Sequence, residues 1–462
     1  MEPSGISTSS ASPPPSWSPA TRLGFRIAFL YFFCFIVLGA NGTLLDAFSV
    51  VGGWIQDKLN WPLNHLSEFT GQHLFHLTGI AAHWHPSESG DTTMNWIHDG
   101  LALTFALGGG ILWTLVAYLR KSPHTDYRVL HAWLRFFLRL TCGMFMIGYG
   151  LAKVFPLQMP PPSVAILTEP AGNMAPMTFL WNLIGLNPVY EIICGSAEVL
   201  GGILLLYRRT ALAGALFSTF VVTNVVLYNF CYDVPVKLFA TNLLLGCMFL
   251  ALPDALSLWR YFWSHKPAAP TAAWIPPISH RAGRIAILAT EIVFAVAFLV
   301  VQPIFMTIGW RRLQVALRTP SPLVGAWHVD DTQPASGAFI DPEGIPVTDL
   351  YVARSGRAYT RSADGELWLS GVDLNSKEHT VQINCYFIKP PTNYAWQLSD
   401  PNHLILTPVS PAPAKPTSET KPAKPAPPFK PAVLTLTRTP TPDHYPLLER
   451  GFHFISEWRY ER

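Results

Sequence analysis

The sequence predicts a membrane α-helical bundle of about seven transmembrane helices, followed by a C-terminal β-rich soluble domain of barrel or sandwich form. Three observations predict it. Half of the 462 residues are hydrophobic and only 13% are charged, against about 25% in an ordinary soluble domain. Apolar runs of about 18–23 residues recur through the first two thirds, long enough to cross about 30 Å of hydrocarbon. After Gly309 they give way to short β-prone segments set between turn residues.

Residues 1–21 form a Ser/Pro-rich tail with too little apolar surface to fold alone. Spans are expected at 23–41, 95–119, 131–153, 188–207, 210–230, 236–253 and 284–307. The first is longer than a signal-peptide core and no A-x-A site follows it, so it reads as a retained helix. Lysine and arginine in short loops set the orientation. Arg22, Arg26, Arg120, Lys121, Arg128, Arg135, Arg208, Arg209, Arg260, Lys266, Arg281 and Arg284 fall on one side, and only Lys58, Lys153 and Lys237 on the other. This places the N-terminus in the cytoplasm and the C-terminal domain outside, as an odd number of spans requires. The first outer segment, 42–94, is too polar to span. Near-helical spacing over Leu63–Ile80 predicts short helices lying over the membrane face. Gly90-Asp91-Thr92-Thr93 supplies capping residues for the second span. The outer segment 154–187 is a Pro-rich loop with one short interfacial helix.

In the C-terminal domain, strands are expected at Leu323–Val329, Leu367–Val372, Val381–Ile388, Tyr394–Leu398, Leu404–Thr407 and Val433–Arg438. A Pro/Ala/Lys-rich insert, 408–432, reads as an extended loop joining the last two. Gly325-Ala326-Trp327 at the head of the domain resembles the opening of lipocalin-type folds. The chain thus divides into a tail at 1–21, two helices with a His-rich outer loop at 22–130, a four-helix bundle at 131–253, a loop and last helix at 254–309, and the β-rich domain at 310–462. Five of the six cysteines lie in or at the end of apolar runs, where they pack as small hydrophobes, and only Cys385 falls in the β-rich domain. A net charge of +3 without a basic run sets nucleic acid aside.

Ionisable residues within spans are the best pointers to chemistry, because they are costly unless paired or used. Glu198 is the sharpest, about 15 Å deep in the fourth span at about 1.5 Å per residue. Glu191 precedes it on nearly the same helix face. Each is either a proton-accepting or ligand-binding carboxylate, or a packed group that is neutral or paired. Lys153 either snorkels to the interface or pairs with Glu191 or Glu198. Asp233 and Lys237 are four apart at the mouth of the sixth span and can form an ion pair. Arg139 lies in the first turns of the third span, where it can snorkel. Glu291, near Arg284, reads as a paired structural residue.

Arg139-Leu140 through Gly143, Gly148, Gly150 and Lys153 resembles the opening helix of the DoxX family. Gly195-Ser196-Ala197-Glu198-Val199-Leu200-Gly201-Gly202 resembles its second helix, and Asn229 through Lys237 resembles the entry to its fourth. The order and spacing match a DoxX-like four-helix bundle over 131–253. The resemblance implies a multi-pass protein of a bacterial inner membrane, in a family some of whose members are linked to quinone-dependent oxidation of reduced sulfur or to oxidative-stress complexes. Carried onto this chain, the family's polar positions fall on Arg139, Lys153, Glu198 and Asp233. A quinone would suit such a site, with Glu198 taking part in proton exchange.

A second constellation is the outer histidines. His73 and His76 form H-x-x-H, which on a helix would share a face, and His83 and His85 form H-x-H. Metal or haem is the functional reading there, and interfacial histidines on an amphipathic surface the plainer one. The leading functional expectation is a redox-associated or quinone-binding component of a membrane complex. Its partners would be the lipid bilayer, other membrane redox subunits or a periplasmic protein. The alternative is a non-enzymatic scaffold whose outer β domain binds a protein or lipid partner. The first requires a polar intramembrane site to matter; the second tolerates loss of Glu198 but not of the outer domain.

Overall fold

The computed structural model describes residues 17–84, 90–121, 126–267, 274–333, 339–341, 344–375, 378–385, 392–409, 432–442 and 444–449. Its main helices are α1 (Pro19–Leu38), α2 (Ser49–His73), α3 (Thr93–Leu119), α4 (Arg128–Val154), α5 (Val164–Leu167), α6 (Pro176–Gly185), α7 (Pro188–Leu206), α8 (Ala211–Cys231), α9 (Lys237–Ser264), α10 (Arg281–Val296) and α11 (Gln302–Arg318). Seven are long and apolar enough to cross a membrane: α1, α3, α4, α7, α8, the Lys237–Ala255 part of α9, and the continuous run Arg281–Arg318. The chain divides into two compact units, Met1–Ala152 with Ile193–Ile304, and Lys153–Ile192 with Phe305–Arg462.

Two helices outrun the expected spans. The helix entered at Lys237 continues past Pro253 to Ser264. The last does not stop near Gly309 but reaches Arg318, by way of a π-helical turn at Ala297–Val301. Pro303 explains that turn. A proline has no N–H and its ring clashes with the carbonyl four residues earlier, and a wider turn absorbs the mismatch. Residues 49–73 form one long helix rather than several short ones, despite Pro62 in its interior.

In the helical unit, α4 is the central element, with 78% of its most apolar window buried. Glycines let α7 approach it closely. A Cβ on Gly150 would lie 2.7 Å from the Gly195 carbonyl oxygen, and one on Gly202 would lie 2.8 Å from that of Gly143. Small residues at such contacts are how membrane helices gain packing that lipid tails do not supply.

In the other unit, β1 (Gly325–Gln333), β2 (Val347–Val352), β3 (Arg357–Ser362), β4 (Leu367–Asn375), β5 (Thr380–Cys385), β6 (Thr392–Asp400), β7 (His403–Pro408) and β8 (Val433–Thr439) form a closed barrel. Each strand pairs antiparallel with the next, and β8 returns to β1. This is the up-and-down order that eight-stranded lipocalin-type barrels use. Eight strands leave an interior that side chains can fill, and Trp327, Leu350, Tyr394, Leu404, Leu434 and Leu436 do so. The Pro-rich insert joins β7 to β8, as expected, although 410–431 of it lies outside the described residues. Two strands, β2 and β3, were not expected from the sequence. Several of the inward positions on β3 and β4 carry small polar groups, so hydrophobic alternation is weak there. Thr360 meets Ser370 at 3.3 Å, and Ser362 donates to Asp341 at 2.7 Å.

The Gly325-Ala326-Trp327 motif has a mechanical reason. Trp327 is fully buried and its indole N–H donates to the Leu323 carbonyl at 2.8 Å. The Arg438 guanidinium lies 4.2 Å over its ring and donates to the carbonyls of Val324, Pro322 and Pro401. Gly325 has φ +142°, and a Cβ there would come within 2.5 Å of Arg438 Nη1.

The segment between α4 and α7 is fastened to this barrel. Ala165 and Ile166 are buried, and Arg361 on β3 is ion-paired with the buried Glu169. Burial opposes the Arg361 charge, but its bonds to Tyr351 and Glu169 outweigh that and hold its pKa above the ordinary value. Glu169→Gln is expected to cost about 1–3 kcal/mol of barrel stability, because it leaves the guanidinium short of a charged acceptor. Faster proteolysis between Val154 and Pro188 in the folded variant would report the loosened segment.

Candidate functional site

The intramembrane residues expected to matter are divided between the two compact units: Lys153 and Glu191 in one, Arg139, Glu198, Asp233 and Lys237 in the other. Arg139, expected to snorkel, is fully buried. Its guanidinium pairs with Glu291 on α10 and donates to the carbonyls of Leu206 at 2.8 Å and Leu205 at 3.3 Å. These carbonyls end α7, where a helix carries partial negative charge. Glu291 therefore pairs with Arg139. One turn earlier, Arg135 was counted among the loop charges, yet it too is fully buried. It donates to Leu250 O at 3.0 Å, lies 3.5 Å from Asp254, and stacks 3.6 Å over Trp274. Arg139 ties the end of α7 to α4, and Arg135 ties the interior of α9 to it, near Pro253. That is structural work.

Lys153 and Glu191 are buried in the barrel-containing unit, close enough for their charges to interact. Glu191 accepts the Met159 backbone N–H at 3.1 Å, which fixes the start of the loop after α4. Glu198 is buried in the helical unit. It lies within electrostatic reach of Tyr149, as does Asp46. Burial raises the Asp46 carboxyl above its ordinary value in spite of the Thr43 N–H it accepts.

Asp233 and Lys237 form the ion pair the spacing allowed, at 2.7 Å, although Asp233 precedes the helix with φ +52°. The entry to α9 has a second carboxylate that the sequence assigned elsewhere. Asp91 was grouped with the cap of the second span. Thr92 caps α3 instead, accepting from Asn95 N–H. Asp91 reaches across to α9 and accepts the backbone N–H groups of Lys237 and Leu238 at 2.7 and 3.0 Å. Asp91→Ala is expected to cost about 1–2 kcal/mol, the upper range for a lost N-cap. The midpoint of thermal unfolding in detergent would measure it.

Below this cap lies a polar pocket formed by α1, α3 and α9. Tyr31 OH donates to Asn242 Oδ1, and Asn242 Nδ2 donates to Asp99 Oδ2 at 2.7 Å. His98, almost fully buried, stands 3.6 Å from Asp99 Oδ1. Among the described residues neither ring nitrogen of His98 has a hydrogen-bond partner. Phe35, Leu38 and Phe239 supply the apolar walls, and Cys34 adds a thiol. The enclosed cavity volume is about 20 Å³, room for a water molecule. A buried orphan imidazole is costly to keep, and here it faces a cavity. The sequence carried part of the signal. His98 adds one more histidine to the His-rich first outer segment and Asn242 is a polar residue within an apolar run, but Asp99, an ionisable residue inside a span, and Tyr31 gave no such signal.

The outer histidines stay apart. Residue His73 ends α2, and His76 lies beyond it with φ +52°, so H-x-x-H is not on one helix. His83 is exposed, 4.0 Å from Glu68, and His85 lies outside the described residues. Among the described residues, no three His, Cys, Asp or Glu side chains are placed to hold a metal ion.

No protein-family model matches the chain, and no solved structure matches it. Over 116 residues it is 37% identical to the uncharacterized protein YwoB of Bacillus subtilis (strain 168), a stretch covering 25% of this chain and 73% of that protein. By that stretch, the chain belongs to the same family as YwoB.

Proposed function

We propose that this chain is a DoxX-like multi-pass protein of a bacterial inner membrane that binds a quinone, as a redox-associated component of a membrane complex. In this reading the N-terminus is cytoplasmic and the barrel extracytoplasmic. The observation that carries it is the pocket lined by Tyr31, His98, Asp99 and Asn242, where a buried imidazole beside Asp99, with no hydrogen-bond partner among the described residues, faces a small cavity. A quinone carbonyl needs a hydrogen-bond donor within an apolar setting. A neutral His98 ring has one N–H to give. Tyr31, His98, Asp99 and Asn242 would hold a quinone carbonyl at this cavity, with Phe35 and Phe239 as its apolar lining. A bound quinone would supply two-electron, two-proton redox chemistry with electrons from a partner subunit, and His98 and Asp99 are the titratable side chains that line the cavity and would exchange the protons. The barrel unit supports the alternation of the spans, and the Lys/Arg bias of the short loops supports the side assigned to it. Segment 153–192 follows the third span and the barrel follows the seventh, so an alternating path puts both on one side, and Glu169 and Arg361 join them.

The full-length protein in nanodiscs, titrated with a short-chain quinone and followed by tryptophan quenching, tests the reading. Saturable binding is expected, weakened about tenfold by His98→Ala or Asn242→Leu, as one lost hydrogen bond of about 1.4 kcal/mol would do. Non-saturating quenching identical in all three proteins would contradict it. A scaffold remains the second reading, favoured by the filled barrel interior. It requires both pocket variants to behave as wild type.

A further inference from the structure

We propose that α2 is an in-plane membrane anchor whose aromatic face is seated in the phospholipid headgroup–acyl boundary. The evidence is a reversal of polarity. A surface helix of a water-soluble protein buries its apolar stripe and exposes its polar one. In α2, the face turned to the protein is small and polar: Gly52, Asn60, Ser67 and Gly71 are buried. The opposite face is aromatic, with Trp54 64%, Trp61 60% and Phe69 58% exposed.

The position of the helix fits this. Gln56 and Asn60 donate to the Gly39 carbonyl, where α1 ends, at 3.2 and 3.4 Å. Farther along, Gly71 lies against Met94 and Ile97 in the first turns of α3. The helix therefore lies across the ends of two spans, at the level where the hydrocarbon stops. Its exposed face continues the apolar sides of those spans, which include Phe105, Ile111 and Leu112 on α3. That continuity selects lipid as the occupant.

The face is also preorganised. His73 stacks on Phe69 and His65 packs at a tilt on Trp61, both with ring centroids 4.2 Å apart. Each imidazole Nδ1 meets the carbonyl of the same aromatic residue, at 2.8 and 3.0 Å. A carbonyl can only accept, so Nδ1 carries the proton in both rings. The result is two rigid amphipathic plates, of the kind that favours the membrane interface. Lys58, exposed on the same face, can reach lipid phosphate.

Spin labels at positions 54, 61 and 69 of the full-length protein in phospholipid nanodiscs test this, in a background with Cys194, Cys231 and Cys385 changed to serine. A label at exposed Asp364, in the β3–β4 turn, serves as the water reference. The three α2 labels are expected to collide more with oxygen than with a water-soluble nickel chelate, opposite to the reference. Collision like the reference would mean the face is in water. Low collision with both agents would mean a second copy or another protein covers it. Either result overturns the proposal. If labelling disturbs the fold, the Trp54→Ala/Trp61→Ala protein provides the second measurement: its quenching by shallow brominated lipid should fall relative to wild type, and unchanged quenching would overturn the proposal.

Discussion

Replacing Arg139 by methionine is expected to be among the most damaging single changes in the chain, costing about 3 kcal/mol, because it leaves a half-buried carboxylate without its counter-charge and the last carbonyls of α7 without their donor. The guanidinium does two jobs at once, pairing with Glu291 and closing the last carbonyls of α7. Lysine cannot replace it. An ammonium on a different stem does not reproduce the planar fork that spans acceptors on two helices. The double change Arg139→Met/Glu291→Leu is the informative partner. Replacing both charges by apolar groups of similar volume is often neutral or stabilising, so it should recover most of the loss, short of the α7 carbonyl bonds. Unfolding in mixed detergent micelles compares the three proteins. If the double variant is as unstable as Arg139→Met, the pair is not the source of the cost.

The second large effect is expected at the α4–α7 contact. Gly202→Val places methyl groups where even a Cβ would sit 2.8 Å from the Gly143 carbonyl oxygen and 2.6 Å from Ile147 Cγ1. The two helices must separate, and the cost should reach about 3 kcal/mol or more, at the upper end for an overpacked core. Gly150→Val should behave alike, since its Cβ would meet the Gly195 oxygen and the Val199 backbone. Gly148→Ala is the internal control, because the nearest atom is the flexible end of Gln302 at 3.2 Å. If all three glycines tolerate substitution equally, the close approach of α4 and α7 is not what the helical unit depends on.

These two sites show how much could be read before the fold was known. The span positions were legible because a chain crossing hydrocarbon must hide its backbone inside long apolar helices. The glycines at 143, 150, 195 and 202 were visible as a pattern, but their partners on the facing helix were not. Arg139 stood out as an ionisable residue in a span, yet its partner Glu291 lies 152 residues away. The pocket was less legible for the same reason. Tyr31 and Asn242 meet across 211 residues, and each alone is an ordinary interhelical polar residue. In the barrel, β2 and β3 were hidden because Thr360, Ser362 and Ser370 occupy buried inward positions that alternation assigns to apolar residues. The reversed polarity of α2 was invisible to any count that takes the apolar face of an amphipathic helix as the buried one.

The central claim is that the pocket of Tyr31, His98, Asp99 and Asn242 holds a quinone. The most direct measurement is solvent extraction and reduced-minus-oxidised absorption of the full-length protein purified from its membrane, beside the Asn242→Leu protein. Close to one quinone per wild-type chain, and a large loss in the variant, are the expected results. Equal quinone in both, or none in the wild type, would contradict it.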